Sequence, residues 1–543
     1  MKDGDFKAQL HRLIALAVLA AAVAAVVMVR FQAASVPLER DEGECALMGQ
    51  LILDGTPPYR EASNMKLPGA YYAYAAILAV FGQTAAGIRM GLMAVSLISA
   101  VVLYLIALPL LGAAGAALAG AAFIVMSAEN SVLGLFAHAT HFVVMFALSG
   151  TWLLLQGSES RHGKLFLWGA GLCFGLAFIM KQSGALFGLF GFTWVLFECL
   201  RRRHIEWKHL LLDLFTFVGG VILPYALLLA VLVHQGVFGR FWFWTVDYAR
   251  TYATQVNLEE GLWLFRSAIT SIILNNPLIW SMAAVGMIGI WLLAAGRKIA
   301  PFLSGFFLFS FLAVCPGLFF RQHYFVQILP AVALSAGAAL WAIGELSARY
   351  TKRPEAVRFA VLVSVALYLL ACVYSERSVL AGLTPDRVSR SIYGQNPFPE
   401  SVKVAEYLKE NTSPGDRIAV MGSEPQICFY AHRKSATEHI YMYGLMEPQP
   451  FALRMQEEMI AQVERSNPPF VVLVTVSTSW LKRLDSKQKI FFWMKSYLEN
   501  YRPVMVAEVH SDYTRWLMDE EAESFTPRPE SSQVIVFKRK SAE

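Results

Sequence analysis

The chain has 543 residues, of which 56% are hydrophobic and only 16% are charged. Soluble globular proteins carry about 25% charged residues, so this composition excludes a wholly soluble protein and indicates one largely embedded in a lipid bilayer. The net charge of +6, from 46 basic and 40 acidic residues, is typical of basic cytoplasmic loops and does not indicate a nucleic-acid partner. The six cysteines show no CxxC spacing and predict neither a metal knuckle nor a disulfide framework.

Apolar runs that approach the roughly 20 residues of a membrane-spanning helix recur over most of the chain. The first run, 12–32, follows a basic start at Lys2, Lys7 and Arg12. The remaining predicted spans are 87–110, 114–129, 132–155, 165–180, 184–200, 209–234, 276–296, 300–320, 324–346 and 358–376. The sequence therefore predicts an α-helical polytopic membrane domain, residues 1–378, with about eleven transmembrane helices.

Basic residues between these runs predict how the chain is oriented, because cytoplasmic loops carry an excess of Lys and Arg. The basic stretches are "SRHGK" (160–164), "RRRHIEWK" (201–208), "GRK" (296–298) and "ARYTKRPEAVR" (348–358). A cytoplasmic N-terminus places all four on the cytoplasmic side. The opposite side then receives the first loop, 33–86, the segment 235–275 and the C-terminal part of the chain.

The first extracytoplasmic loop, 33–86, is acidic at its start. Residues 33–66 hold six acids and three bases, which are Glu39, Asp41, Glu42, Glu44, Asp54, Glu61 and Arg40, Arg60, Lys66. Asp41 with Glu44 fits a capping-box pattern, an acceptor side chain followed three residues later by Glu, at the start of a short helix. We expect Arg40 to contact lipid headgroups and "GAYYAYAAILAVFG" (69–82) to form an interfacial or partly inserted helix.

The composition changes after about residue 378. A helix, a turn and a strand follow one another three times, and "SQVIVFKR" forms a last strand. This alternation predicts a small soluble α/β domain, residues 379–543. The predicted orientation places it outside the cytoplasm.

Polar residues near the ends of the predicted spans gather on the extracytoplasmic side. They are Asp41, Glu42 and Glu44; Lys66; Glu129 and Asn130; Lys181 and Gln182; Arg321 to Tyr324; and, further into the fourth span, His138 and His141. Ionisable groups at membrane depth are costly, so they usually face a cavity or a partner. Acids and bases from five elements at one bilayer face predict a shared polar cleft, suited to a substrate with phosphate and hydroxyl groups.

Structural roles are the alternative for each of these residues. Lys66 is also interpretable as a headgroup anchor, and Lys181 and Arg321 as long side chains that reach from span ends toward water. His138 and His141 share a helix face, where two histidines are more often packed or hydrogen-bonded than metal ligands.

An ordered series of segments resembles the GT-C glycosyltransferases that use polyprenyl-phosphate sugars. The series is the acidic pair after the first span, "PPYREASNMKLPGAYYAYAAILAVFG" (57–82), Arg89, "GLFAHATHFVVMFALSG", "GLAFIMKQSGALFG" and "HYFVQILPAVALSAG". The most similar groups are bacterial relatives of protein O-mannosyltransferases, including the lipid A aminoarabinose transferase and the lipopolysaccharide-core galacturonosyltransferases. The resemblance covers roughly residues 10–350.

The resemblance implies an inverting transfer of a sugar from a polyprenyl-phosphate donor to an acceptor hydroxyl on the extracytoplasmic face. The acceptor would be a cell-envelope glycan, lipid or protein, and the location a bacterial inner membrane with a periplasmic active site. Asp41 would be the general base and Glu42 its helper. The residues implied for binding the donor phosphate and substrate are Lys66, Lys181, Arg321, His323 and Tyr324.

The sequence departs from the family pattern at two places. Lys66-Leu67-Pro68 replaces a Lys-Pro-Pro stretch, and Thr140-His141 stands where many relatives hold a second acid. Glu129, with His138 and His141, is a possible second-loop site that compensates. The missing acid weakens the expectation of a divalent metal, which stays possible, and no other cofactor is implied.

A multi-pass transporter or lipid flippase is the alternative function, and a non-catalytic envelope scaffold is a third. A transporter concentrates its polar groups near the bilayer midplane on broken helices, whereas here they gather at one face. The donor sugar and the acceptor are left open by the sequence.

Overall fold

The structure is a computed structural model, and it describes residues 3–157, 162–201, 206–380, 382–526 and 531–541. Contacts divide the chain into two compact units. The helical unit comprises Met1–Ala33, Arg89–Ala230 and Ala253–Gly382. The mixed unit comprises Ala34–Ile88, Val231–Tyr252 and Leu383–Glu543, so it joins the first loop to the C-terminal part of the chain.

Twenty-three α-helices are defined within the described residues. In chain order they are α1 (Asp3–Gln32), α2 (Arg40–Leu53), α3 (Gly69–Phe81), α4 (Ala85–Met126), α5 (Ala139–Gly157), α6 (Gly163–Met180), α7 (Ala185–Leu200), α8 (Trp207–His234), α9 (Phe238–Trp242), α10 (Ala249–Ala253), α11 (Leu258–Asn275), α12 (Pro277–Leu292), α13 (Ala300–Leu312), α14 (Leu329–Tyr350), α15 (Pro354–Leu380), α16 (Pro385–Tyr393), α17 (Phe398–Glu410), α18 (Pro425–Ala431), α19 (Tyr443–Met446), α20 (Ala452–Ser466), α21 (Ser477–Trp480), α22 (Lys489–Tyr497) and α23 (Asp519–Glu523).

Eight of the described helices are long and apolar enough to cross a membrane: α1, α4 to α8, α14 and α15. A ninth span results if α11 and α12, which meet at 101°, count as one broken span. Two predicted spans, 87–110 and 114–129, join in α4 with a break at Gly112, whose φ of +72° is in the left-handed region that glycine adopts without steric cost. Another predicted span, 300–320, corresponds to α13, which has only 13 residues. The chain is a multi-pass membrane protein, and the count of about eleven spans stays a prediction.

Close backbone approach between the membrane helices depends on glycine. A Cβ on Gly286 of α12 would lie 1.9 Å from the carbonyl oxygen of Ser335 in α14. A Cβ on Gly171 of α6 would lie 2.2 Å from the carbonyl oxygen of Phe217 in α8. Small residues at such crossings let membrane helices pack through van der Waals contact, since lipid provides no hydrophobic drive between them.

Two of the four predicted cytoplasmic loops are described in full. Gly296–Lys298 forms a short 3-10 turn between α12 and α13, and the stretch 348–358 runs from the end of α14 into α15. The other two basic stretches include residues 160–161 and 202–205, which lie outside the described residues. The predicted orientation stays a prediction.

The C-terminal part of the mixed unit forms a six-stranded sheet in the order β2-β1-β3-β6-β4-β5. Its strands are β1 (Arg417–Met421), β2 (Lys434–Ser435), β3 (Phe470–Val474), β4 (Tyr501–Val509), β5 (Thr514–Met518) and β6 (Gln533–Arg539). Strand β1 pairs in parallel with β2 and β3, whereas β6 pairs antiparallel with β3 and β4, and β5 antiparallel with β4. The apolar runs of β1 and β3 are almost entirely buried, as expected for strands covered on both faces. The predicted α/β fold of the C-terminal part is confirmed, and the domain bounds of 379–543 stay a prediction.

The first loop is fastened to this sheet domain within the mixed unit. Ser63 forms a parallel bridge with His439, and the amide of Leu38 donates to the Tyr430 hydroxyl at 2.8 Å. Arg40 also forms an ion pair with the sheet domain. Its guanidinium lies 2.5 Å from the Glu424 carboxylate, and the two side chains are 9% and 0% exposed. The expectation that Arg40 contacts lipid headgroups is wrong, because the sheet domain supplies a buried counter-charge that is preferable to a headgroup.

Candidate active site

Helix α2 begins with a capping box that differs in register from the predicted one. Glu39 is the N-cap, and its carboxylate accepts from the Glu42 amide at 2.8 Å while the Glu42 carboxylate accepts from the Glu39 amide at 3.4 Å. Asp41 and Glu44 therefore do not form the cap. Burial, followed by the nearby charges of Asp41 and Glu42, raises the pKa of Glu39 to about 8.

This register leaves Asp41 on the second helical position, where the dipole of the helix favours an ionised carboxylate. Its Oδ1 accepts two hydrogen bonds, from Lys66 Nζ at 2.9 Å and from the Tyr441 hydroxyl at 2.8 Å. The Asp41 side chain is 32% exposed. The other carboxylates between residues 39 and 44, those of Glu39, Glu42 and Glu44, are buried.

Lys66 lies between two carboxylates rather than at a lipid headgroup. Its Nζ donates to Glu44 Oε2 at 2.7 Å as well as to Asp41. Although burial opposes the charge on Lys66, the Asp41 and Glu44 carboxylates raise its pKa well above the ordinary range. The ammonium therefore stays charged and supplies the positive charge that two adjacent acids need.

Glu44 is the buried end of this cluster. Besides Lys66, it accepts from the Tyr71 hydroxyl at 2.6 Å and from Asn64 Nδ2 at 2.8 Å. Burial raises its pKa, and the Lys66 charge opposes that rise. Glu44 therefore anchors Lys66 beneath Asp41, while Glu42 is used in the cap, and the helper role predicted for Glu42 stays a prediction.

A second group of predicted site residues lies within the helical unit. The rings of His138 and His323 stack with centroids 4.0 Å apart and an interplanar angle of 11°. Lys181 Nζ lies 3.5 Å from the centroid of the Tyr324 ring, a cation–π contact. The structure thus brings together four of the predicted residues from three separate segments.

Local structure explains how these segments meet. Lys181 follows the end of α6 in extended backbone, and the next residues, Gln182–Gly184, form a 3-10 turn. His323 and Tyr324 lie in another 3-10 turn, Gln322–Gln327, before α14. The buried Ser183 hydroxyl donates to Gln327 Oε1 at 2.7 Å and joins the two turns. Arg321 precedes the second turn, with its guanidinium 5.8 Å from the Phe319 ring.

Glu129 and His141, the other predicted site residues in the helical unit, have different surroundings. Glu129 accepts from Asn276 Nδ2 and from the Ser131 hydroxyl, and it borders a cavity of about 130 Å³ that Glu376 also lines. Burial raises the pKa of Glu129 to about 7. His141 is buried, and its Nε2 has no hydrogen-bond partner among the described residues. A second-loop site formed by Glu129, His138 and His141 stays a prediction.

Sequence reasoning missed Tyr441, Tyr71 and Asn64, which complete the cluster around Asp41 and Glu44. Asn64 and Tyr71 flank Lys66 in the first loop, so their closeness in sequence offers a weak signal. Tyr441 is 400 residues from Asp41 along the chain, and no local pattern links the two. Only the fold of the mixed unit brings it to the carboxylate.

The group of residues in the mixed unit and the group in the helical unit offer different chemistry. The mixed unit presents one partly exposed carboxylate held by an ammonium and a phenol, an arrangement that can accept a proton from a hydroxyl group. The helical unit presents Lys181 and Arg321 with aromatic and imidazole side chains, a set suited to an anionic phosphate. The predicted shared cleft between the groups stays a prediction.

Comparisons with known proteins bear on the fold. Residues 65–228 match the family model of dolichyl-phosphate-mannose-protein mannosyltransferases. No curated protein matches the chain by sequence.

Three solved structures of similar fold illustrate the likeness. The archaeal oligosaccharyltransferase AglB from Archaeoglobus fulgidus, in complex with an inhibitory peptide and a dolichol-phosphate, gives a TM-score of 0.55 at 13% identity, over 93% of this chain and 74% of that chain. ArnT from Cupriavidus metallidurans, bound to undecaprenyl phosphate, gives a TM-score of 0.54 at 15% identity, over 95% of this chain and 97% of that chain. The arabinofuranosyltransferase AftD from Mycobacteria gives a TM-score of 0.50 at 14% identity, over 97% of this chain and 42% of that chain.

The family match and the fold point to one superfamily, and the resemblance predicted from the sequence is confirmed at that level. The match covers the segment from Met65 through most of α8, and the structural likeness extends over nearly the whole chain. Residues 65–228 thus match a glycosyltransferase family model, and the chain as a whole has the fold of solved membrane glycosyltransferases of the GT-C superfamily.

Proposed function

We propose that this protein transfers a sugar, with inversion at the anomeric carbon, from a polyprenyl-phosphate donor to an acceptor hydroxyl. The observation that carries the proposal is that Asp41 alone of the four carboxylates between residues 39 and 44 is partly exposed, while Lys66 and Tyr441 hold it in place. A general base must be ionised and reachable by the hydroxyl that it deprotonates.

The reaction exchanges one bond for another. The acceptor oxygen forms a bond to the anomeric carbon, its proton passes to Asp41, and the bond from that carbon to the phosphate oxygen breaks. The polyprenyl phosphate leaves with the electron pair. Inversion requires the base and the leaving group on opposite faces of the sugar.

Lys181 and Arg321 are the proposed donors to the phosphate, with His323 and Tyr324 beside them. A departing phosphate monoester gains negative charge, so fixed cations nearby stabilise the transition state more than the ground state. Arg supplies two parallel hydrogen bonds to such an oxyanion. The ligands of the similar structures, undecaprenyl phosphate and dolichol-phosphate, support a donor of this class.

We place the reaction at the extracytoplasmic face of a bacterial inner membrane, with the N-terminus cytoplasmic and the C-terminal domain periplasmic. The acceptor is a cell-envelope glycan, lipid or protein. Lys66 pairs with both Asp41 and Glu44, so the place of a cation between these two acids is already taken by its ammonium group. No step is therefore assigned to a metal.

Asp41→Asn tests the assignment of the base. We expect transfer from a radiolabelled polyprenyl-phosphate sugar to fall by about 10²–10⁴-fold, the usual contribution of a general base, while membrane insertion and detergent extraction are unchanged. Asp54→Asn, at the C-cap of the same helix, is the matched control and should transfer normally. Wild-type rates from Asp41→Asn would refute the role of Asp41, and movement of the lipid across proteoliposomes without a glycosylated product would favour a flippase.

A further inference from the structure

Tyr441 brings the C-terminal domain into contact with the proposed base. It lies in the segment that follows β2, and its hydroxyl donates to Asp41 Oδ1 at 2.8 Å. Its ring also lies 5.8 Å from Lys66 Nζ. The two donors to Oδ1 therefore come from different parts of the mixed unit, Lys66 from the first loop and Tyr441 from the sheet domain.

The backbone beside Tyr441 is held firmly. The amide of Met442 donates to the Ser423 hydroxyl at 2.8 Å, and that hydroxyl donates to the carbonyl of Ser479. The Tyr441 ring packs edge-on against Tyr443, with centroids 5.1 Å apart. Tyr443 also contacts Arg40 on α2, with 3.0 Å between its hydroxyl and the guanidinium. Tyr441 is therefore connected through Tyr443 to the helix that carries Asp41.

We propose that Tyr441 is a positioning residue for Asp41, by which the C-terminal domain orients the general base and keeps it ionised. This inference rests on the proposed function of Asp41. A hydrogen bond to the charged form of a carboxylate favours that form, and two donors on one oxygen restrict rotation of the carboxyl group. The soluble domain thus supplies part of the active site in addition to any role in acceptor binding.

The charges near Asp41 within the mixed unit make a phenol a suitable donor. Within the mixed unit, the titratable groups that interact with Asp41 or its two donors include Glu39, Glu44, Cys45 and Tyr443. Burial, and then the carboxylates of Asp41 and Glu44, raises the pKa of Tyr441 well above its ordinary value. The hydroxyl therefore keeps its proton over the whole range in which the enzyme would work.

Tyr441→Phe tests the inference, because it removes only the hydroxyl and keeps the ring. Loss of one donor should raise the pKa of Asp41 by about one unit. We expect the acid limb of the pH profile of kcat/KM to move up by about one pH unit, so that the rate below that limb falls about tenfold, with a smaller loss on the plateau. Tyr430→Phe is the control, since it too removes only a hydroxyl, one that accepts from the Leu38 amide at 2.8 Å.

A measurement without turnover separates this inference from the proposed function. A water-soluble carbodiimide modifies protonated carboxyl groups, so the pH midpoint of Asp41 labelling, read by mass spectrometry of the purified full chain, reports its protonation. Tyr441→Phe should raise this midpoint by about one unit, and Tyr430→Phe should not. An unchanged midpoint, or equal shifts in both variants, would overturn the role of Tyr441. A shifted midpoint in a protein that transfers no sugar would support the contact and refute the proposed reaction.

Discussion

Removing one side of the Arg40–Glu424 ion pair should loosen the mixed unit strongly. Glu424→Leu leaves the Arg40 guanidinium buried with the Ser423 carbonyl, the Asn396 side chain and the Tyr443 hydroxyl, but without a counter-charge. Arg40 is 9% exposed and Glu424 fully buried, so water cannot replace the lost carboxylate. Breaking a buried pair in this way costs about 3–5 kcal/mol.

The magnitude can be expressed as a change in melting temperature. For a unit of 150–250 residues, each kcal/mol shifts Tm by about 2–4 °C, so Glu424→Leu should lower the transition of the mixed unit by about 6–20 °C. This shift can be measured by thermal scans and urea titrations in detergent, with the resistance of the C-terminal domain to protease as the readout. Arg40→Met should have an effect of the same sign.

The double variant gives the sharpest outcome. When Arg40→Met and Glu424→Leu are combined, no unpaired charge is left in the interior. The double variant should therefore be more stable than either single variant by about 2 kcal/mol or more. Glu457→Leu, which breaks the exposed pair with Lys489, is the matched control and should cost at most about 1 kcal/mol. Additive losses in the double variant, or a loss from Glu424→Leu no larger than the control, would refute the reasoning.

Two further predictions concern charge. Because the folded-state pKa of Glu39 is raised from 4.5 to about 8, the folded chain retains a proton that the unfolded chain releases, and stability falls as pH rises through that window. Glu39→Gln should therefore raise Tm relative to wild type at pH values above this window and leave it nearly unchanged below it; equal shifts at both would contradict the burial argument. Lys181→Met should weaken binding of a polyprenyl phosphate, but not of the uncharged polyprenol, by about 10- to 100-fold. Lys164→Met, at the other end of α6, is the control, and equal losses for both lipids would exclude a phosphate contact.

The sequence by itself determined the class of the protein. Long apolar runs predict membrane helices because the bilayer accepts only segments whose backbone groups are satisfied internally, and the alternation after residue 378 predicts the sheet domain. The ordered motifs predicted the GT-C superfamily. The acids of the first loop and the basic residues near span ends were also visible, since each is a local pattern of a few residues.

The tertiary structure decided how those residues are used. Two overlapping patterns, Glu39 with Glu42 and Asp41 with Glu44, both fit a capping box, and only the extended backbone of Glu39, with φ of −78° and ψ of 175°, selects the first. The partners of Arg40 and Asp41 in the sheet domain lie 384 and 400 residues away. Periodicity and spacing report only neighbours along the chain, so contacts that depend on packing two distant segments together are decided by the fold alone.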